Sequence, residues 1–175
     1  MTWLGTNSGK KIDLLKPDPA QIDLDDIAHA LSFVPRFMGQ TDRFYSVLTH
    51  SVNVASLVPP QFKLAALLHD ATEAYIGDVP TPLKDLLGNS YRDVEARLAI
   101  AIGTRFGVRC FLHSLPDVIK QADRIMLVTE HHLLQKKAAD WGWDAEDIRL
   151  HKLPFENVTP DMFKDMVRRA QQMQG

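Results

Sequence analysis

The sequence predicts an all-α fold, a bundle of about five to seven helices. Apolar residues recur at three- and four-residue spacing through most of the chain, and strict apolar–polar alternation is rare. The 175 residues are 45% hydrophobic and 24% charged, enough to fill one core without disulfides or repeats. One domain over residues 1–175 is therefore expected, with an extended lead-in (1–22) and a closing helix (160–173).

Gly5, Gly9, Pro17 and Pro19 keep the lead-in irregular, with a short strand expected around Lys11 to Leu14. Asp23 or Asp25 is placed to cap a helix carrying Ile27, Ala28, Ala30, Leu31 and Val34. Pro35 ends it, because a proline disfavours the helical conformation in the residue before it. Phe37 to Thr41 reads as a connection around Gly39. A second helix begins near Ser46 and runs to Leu57, before Pro59-Pro60. Phe62 and Leu64 to Leu68 follow, dense enough for a buried helix that continues through His69, Asp70 and Glu73.

Gly77 and Pro80-Thr81-Pro82 mark a loop, with Pro82 opening a short helix to Leu87. After the break at Gly88-Asn89-Ser90, Tyr91, Val94, Leu98 and Ile102 stripe a long helix ending near Gly107. Ser114 is placed to cap the next, with Pro116 in its first turn. Val118, Ile119, Ala122, Ile125, Met126 and Val128 form its apolar side. Residues 139–158 are aromatic and loop-rich. The Trp141-Gly142-Trp143 stretch within them suits a pocket lining, a helix-end cover or a subunit contact.

Composition narrows the function. Twenty basic and 22 acidic residues leave a formal charge of −2, which argues against a dedicated nucleic-acid surface. Cys110 is the single cysteine, so no intrachain disulfide forms and a CxxC zinc pattern is excluded. No basic region precedes an apolar run at the amino terminus, and no stretch approaches a membrane span. A cytoplasmic protein without membrane partners is expected. The GxxxxGK[ST], GxGxxG and GxSxG patterns are absent.

The polar residues that break the apolar helices carry the chemistry. Leu67-Leu68-His69-Asp70-Ala71-Thr72-Glu73 sets an imidazole and two carboxylates in a leucine- and alanine-rich run. Burying a carboxylate costs several kcal/mol, roughly, unless a cation or donors compensate. A divalent metal is one such compensation. The bland alternative has His69 bonded within the core and Asp70 facing solvent. His50, in Tyr45-Ser46-Val47-Leu48-Thr49-His50-Ser51, and Asp123, in Ile119-Lys120-Gln121-Ala122-Asp123, lie on two further helices that can meet the first. The four would offer two nitrogens and two oxygens, although spacing alone does not make them converge. His131-His132 falls near a helix end, where a cation is mildly favoured. His29, His113 and His151 read as structural or surface groups, and Cys110 as a buried inert thiol. Asp78 equally suits a loop cap, and Lys84 and Arg43 a solvated surface.

Taken in order, Arg36-Phe37, Tyr45 to Ser51, Leu68-His69-Asp70-Ala71-Thr72-Glu73-Ala74, Gly77-Asp78-Val79-Pro80-Thr81-Pro82-Leu83-Lys84, Tyr91 to Glu95 and Lys120 to Asp123 form a recognisable set. Over residues 24–135 the chain resembles the HD-domain phosphohydrolases, and within them the bacterial 5′-deoxynucleotidase group and its phage dATP/dNTP triphosphohydrolase relatives. The run from His69 to Lys84 is the most specific part of the match. The resemblance implies an HD-domain helical bundle with His50, His69, Asp70 and Asp123 as ligands of one divalent transition ion, Co²⁺, Mn²⁺ or Zn²⁺. A second divalent ion would travel with the phosphates. It implies Glu73 acting on the attacking water and Asp78 supporting it, with Arg36, Phe37, Lys84 and Lys120 near the nucleotide. Phe37 stands where the deoxynucleotidase pattern has a tryptophan, which bears on base or sugar selectivity.

The implied reaction is hydrolysis of a small-molecule deoxynucleotide, with no nucleic-acid polymer involved, by a homo-oligomer (dimer or hexamer) in a bacterial cell or phage-infected host. Release of phosphate from a monophosphate and release of triphosphate from a dNTP both match the pattern. A phosphodiesterase acting on cyclic or signalling nucleotides and a non-catalytic nucleotide-binding protein are the competing readings.

Overall fold

A computed structural model describes residues 2–136 and 149–174. Trp141-Gly142-Trp143 lies outside the described residues. The chain is mainly α-helical, with eight α-helices and one small hairpin among the described residues. The hairpin pairs β1 (Trp3–Gly5) antiparallel with β2 (Lys11–Asp13), with Leu4 opposite Ile12. The strand expected near Lys11 is therefore present with a partner, and it buries Ile12 completely.

α1 (Leu24–Phe33) starts where the Asp23 side chain accepts from the Asp25 N–H, and it stops at Val34, one residue before Pro35. The chain then doubles back. Arg36 N–H donates to Tyr45 O and Val47 N–H to Val34 O, so the start of α2 (Val47–Ser56) is pinned beside the end of α1. Ser46 caps α2 through the Thr49 N–H. Every α2 residue from Val47 to Ala55 is buried, His50 and Asn53 among them. A helix enclosed on all sides packs against its neighbours all round, and α2 does so against α1, α3 (Lys63–Leu67), α7 (Asp117–Leu134) and α8 (Pro160–Gln172).

The single helix expected from Phe62 through Glu73 is two short ones. α3 stops at Leu67, and α4 (Glu73–Ile76) resumes after a run of turns. The intervening bonds close over three residues: Ala71 N–H to Leu68 O, Glu73 N–H to Asp70 O and Ala74 N–H to Ala71 O. This tighter winding redirects side chains relative to an α-helix, so His69 and Glu73 do not stack one turn apart on one face.

α5 (Thr81–Leu87) and α6 (Asn89–Phe106) are separated by Gly88 alone, at φ 65°, so the expected three-residue break shortens to one. Gly107, left-handed at φ 75°, ends α6. Ser114 does not cap the next helix. Pro116, extended at ψ 144°, occupies the cap position, and Ile119 N–H bonds its carbonyl. No helix among the described residues is long and apolar enough to cross a membrane.

α8 packs on α1 and α3 and buries Phe163 completely. Phe163→Ala is expected to lower unfolding free energy by about 3–5 kcal/mol, the usual cost of an emptied aromatic site. An unchanged denaturant midpoint would mean that α8 is not part of the core.

Candidate metal centre and cavity

Three segments distant in sequence deliver four side chains to one point. α2 supplies His50, the turns after α3 supply His69 and Asp70, and α7 supplies Asp123. His50 Nε2 lies 3.1 Å from Asp123 Oδ1 and 3.5 Å from Asp70 Oδ2. His69 Nε2 lies 3.1 Å from Asp70 Oδ2 and 3.9 Å from Asp123 Oδ1. Ligand atoms of His50, His69 and Asp123 fall within 4.8 Å of one another.

The outer nitrogens are occupied. His69 Nδ1 bonds Ala66 O at 2.8 Å, and His50 Nδ1 bonds Glu130 Oε1 at 2.8 Å. In each neutral ring the proton then sits on Nδ1, and Nε2 presents a lone pair. Both Nε2 atoms are buried and find no hydrogen-bond partner. Two orphaned imidazole nitrogens facing two carboxylates fit a divalent ion of nitrogen and oxygen preference.

Electrostatics agree with that fit. Burial and the Arg36 charge press the His50 imidazole down, but the Glu130 and Asp123 carboxylates beside it prevail, and it is pushed up to about 10. Burial likewise opposes the protonated His69 ring, yet Asp70 raises it. Burial would lift Asp70, but His69, His50 and Arg36 hold its carboxyl well below the usual range. The carboxylates thus draw protons onto both rings, and a divalent cation would replace those protons.

The cluster opens onto a cavity of about 470 Å³, within the size range of small-molecule sites. Arg36, Phe37, Glu73, Asp78 and Lys84 all line it, together with Asp70 and Asp123. Glu73 is buried, and its Oε2 has no hydrogen-bond partner. Burial first, then Asp70 and Asp78, raise its carboxyl well above the ordinary value. Burial also raises Asp78, against the pull of Arg36.

Arg36 is itself buried. Its Nη1 reaches Asp78 Oδ2 at 3.3 Å and its Nε reaches Glu130 Oε2 at 3.4 Å. Phe37 and Met38 both adopt φ 54°, a left-handed conformation that bulky side chains rarely take. The turn brings the Phe37 ring centre to 5.5 Å from the guanidinium carbon of Arg36. Lys84 Nζ bonds Glu95 Oε1 at 2.8 Å.

Lys120 is not brought to the cavity. Its ammonium pairs with Asp117 one turn back on α7, and the side chain is about half exposed. A phosphate contact from Lys120 is therefore not supported by its placement. His131 and His132 occupy the last turn of α7, where His131 bonds Gln135. Cys110 is only half-buried and lies beside a separate cavity of about 700 Å³, which none of the predicted site residues lines.

Sequence reasoning missed Glu130. This wholly buried carboxylate bonds His50, Arg36 and Tyr45. It follows Asp123 by seven residues, two turns along the same face of α7.

No protein-family model matches the chain. An uncharacterized protein of Rhodobacter capsulatus is 41% identical over 133 residues, covering 70% of this chain and 68% of the relative. The uncharacterized protein YfdR of Escherichia coli is 42% identical over 130 residues, covering 74% of this chain and 71% of the relative. The chain belongs to the family of these two proteins.

Proposed function

We propose that the chain is a metal-dependent phosphohydrolase of the HD-domain type that releases phosphate from deoxynucleoside monophosphates. The observation that carries this reading is the convergence of two unpartnered imidazole nitrogens and two carboxylates, the carboxylates lining a cavity that also holds Glu73, Asp78 and Arg36. His50, His69, Asp70 and Asp123 would hold the ion. A bound Co²⁺, Mn²⁺ or Zn²⁺ would supply polarisation of a phosphoryl oxygen and a lowered pKa for a bound water.

The chain's own groups do the rest. Glu73 Oε2, buried and without a partner, accepts the proton of the attacking water. Asp78 holds the Arg36 guanidinium at the cavity, where its remaining N–H groups can meet phosphate oxygens. Lys84 adds positive charge to the lining and Phe37 an aromatic wall for the base.

The cation count favours the monophosphate over the triphosphate. Arg36 already faces two carboxylates, Lys84 faces Glu95, and Lys120 lies outside the cavity. Among the described residues lining the cavity, little positive charge is left for a triphosphate tail. Incubation with dAMP and dATP, each with Co²⁺, Mn²⁺ or Zn²⁺, is expected to give phosphate from dAMP and little triphosphate from dATP. Predominant triphosphate release would select the other phosphohydrolase reading. Release of neither product would sink both.

A further inference from the structure

We propose that Glu130, Tyr45 and Asn53 are positioning residues that fix which nitrogen of His50 carries its proton, through a hydrogen-bonded chain directed by the backbone of Phe155. The inference rests on the reading of His50 as a metal ligand. The direction of the chain follows from its far end. Phe155 N–H donates to Asn53 Oδ1 at 2.7 Å, and Asn53 Nδ2 donates to Phe155 O at 2.9 Å. A main-chain N–H only donates and a carbonyl only accepts, so the amide of Asn53 has one orientation.

The second Nδ2 proton of Asn53 then goes to the Tyr45 hydroxyl oxygen, at 2.7 Å. Having accepted there, the phenol turns its own proton to Glu130 Oε1, at 2.9 Å. An ionised carboxylate only accepts, so His50 Nδ1, 2.8 Å from the same oxygen, is the donor. In the neutral ring that a metal requires, His50 Nε2 is then the nitrogen that carries the lone pair, facing Asp70 and Asp123. Asn53, Glu130 and His50 are wholly buried and Tyr45 is 2% exposed, so water does not substitute for any link.

Stability alone is a poor account of this arrangement. Buried ionic groups are often replaceable by apolar residues without loss of stability. Glu130 also spends its second oxygen on Arg36, so one carboxylate orients both a ligand of the ion and a cation of the cavity. Partners of this kind typically change metal affinity 10–100-fold, roughly, when altered.

The test uses the full chain stripped of metal and titrated with Co²⁺ alone, followed by visible absorption. Glu130→Gln keeps the shape but sets an NH₂ against either Arg36 or His50. It is expected to weaken Co²⁺ binding by roughly 10–100-fold. In the Zn²⁺-loaded protein with ¹⁵N-labelled histidine, it is also expected to shift or remove the His50 Nδ1–H resonance that the parent displays, because a neutral amide oxygen accepts more weakly than a carboxylate and an NH₂ does not accept at all. Tyr45→Phe should fall between parent and Glu130→Gln. A folded Glu130→Gln with the parent's affinity and an unshifted Nδ1–H resonance overturns the proposal. Where Glu130→Gln does not fold, Tyr45→Phe decides, and parental affinity with an unchanged resonance overturns it. A parent that binds no Co²⁺ overturns the metal reading itself, which keeps the two failures distinct.

Discussion

His69→Ala and Asp70→Ala each abolish tight Co²⁺ binding and lower phosphate release from dAMP by about a thousandfold, if the four-residue cluster is the metal centre. The size follows from what an ion contributes to phosphoryl chemistry, several kcal/mol, at tenfold per 1.4 kcal/mol, roughly. His69 offers one of the two buried Nε2 atoms without a hydrogen-bond partner, and Asp70 Oδ2 lies within 3.5 Å of both imidazoles. Losing either leaves a gap that neighbours cannot close, because His50 is anchored to Glu130 and Asp123 comes from another helix. Isothermal titration with Co²⁺ and a phosphate-release assay on the same samples check this. Retention of parental affinity by either variant, with unfolding unchanged, would remove the metal centre and the hydrolase reading with it.

Which parts of this centre the sequence discloses has a physical explanation. Caps and stops are local, so Asp23, Ser46, Pro35 and Gly107 mark their helix ends legibly. The juxtaposition of His50, His69, Asp70 and Asp123 is not local, and only the ordered resemblance placed them together. The turns from Leu68 to Thr72 escaped because leucine and alanine suit an α-helix, and no glycine or proline marks the break. Tertiary context overrides propensity there. The break does chemical work, since it frees the Ala66 carbonyl to hold His69 Nδ1. The left-handed pair Phe37-Met38 also left no mark, because neither residue type favours that conformation. Glu130 was hidden for a third reason. A lone glutamate on a helix ordinarily signals a solvated face, and its burial depends on His50, Arg36 and Tyr45, each 80 or more residues away.

Glu73→Ala should divide catalysis from binding, lowering turnover by about 10²–10⁴-fold while Co²⁺ affinity stays close to parental. Glu73 lines the cavity beside the cluster without completing it, and its Oε2 has no partner of its own. A residue held this way is costly to the fold. Burial, Asp70 and Asp78 raise its carboxyl well above the ordinary 4.5, so the folded state disfavours the carboxylate. Below pH 4.5 the group is protonated whether the chain is folded or not, and it carries no penalty. As pH rises from there toward the raised folded value, only the unfolded chain gives up its proton freely, and stability falls. Metal-stripped Glu73→Gln is therefore expected to unfold at a higher temperature than the parent at pH 7, with the gap closing as pH drops toward 4.5. A variant that is more stable and yet inactive is the pattern of a group retained for chemistry. Equal turnover in parent and Glu73→Ala would instead hand the water-activating role to another carboxylate, with Asp78 the candidate among the lining carboxylates not assigned to the metal.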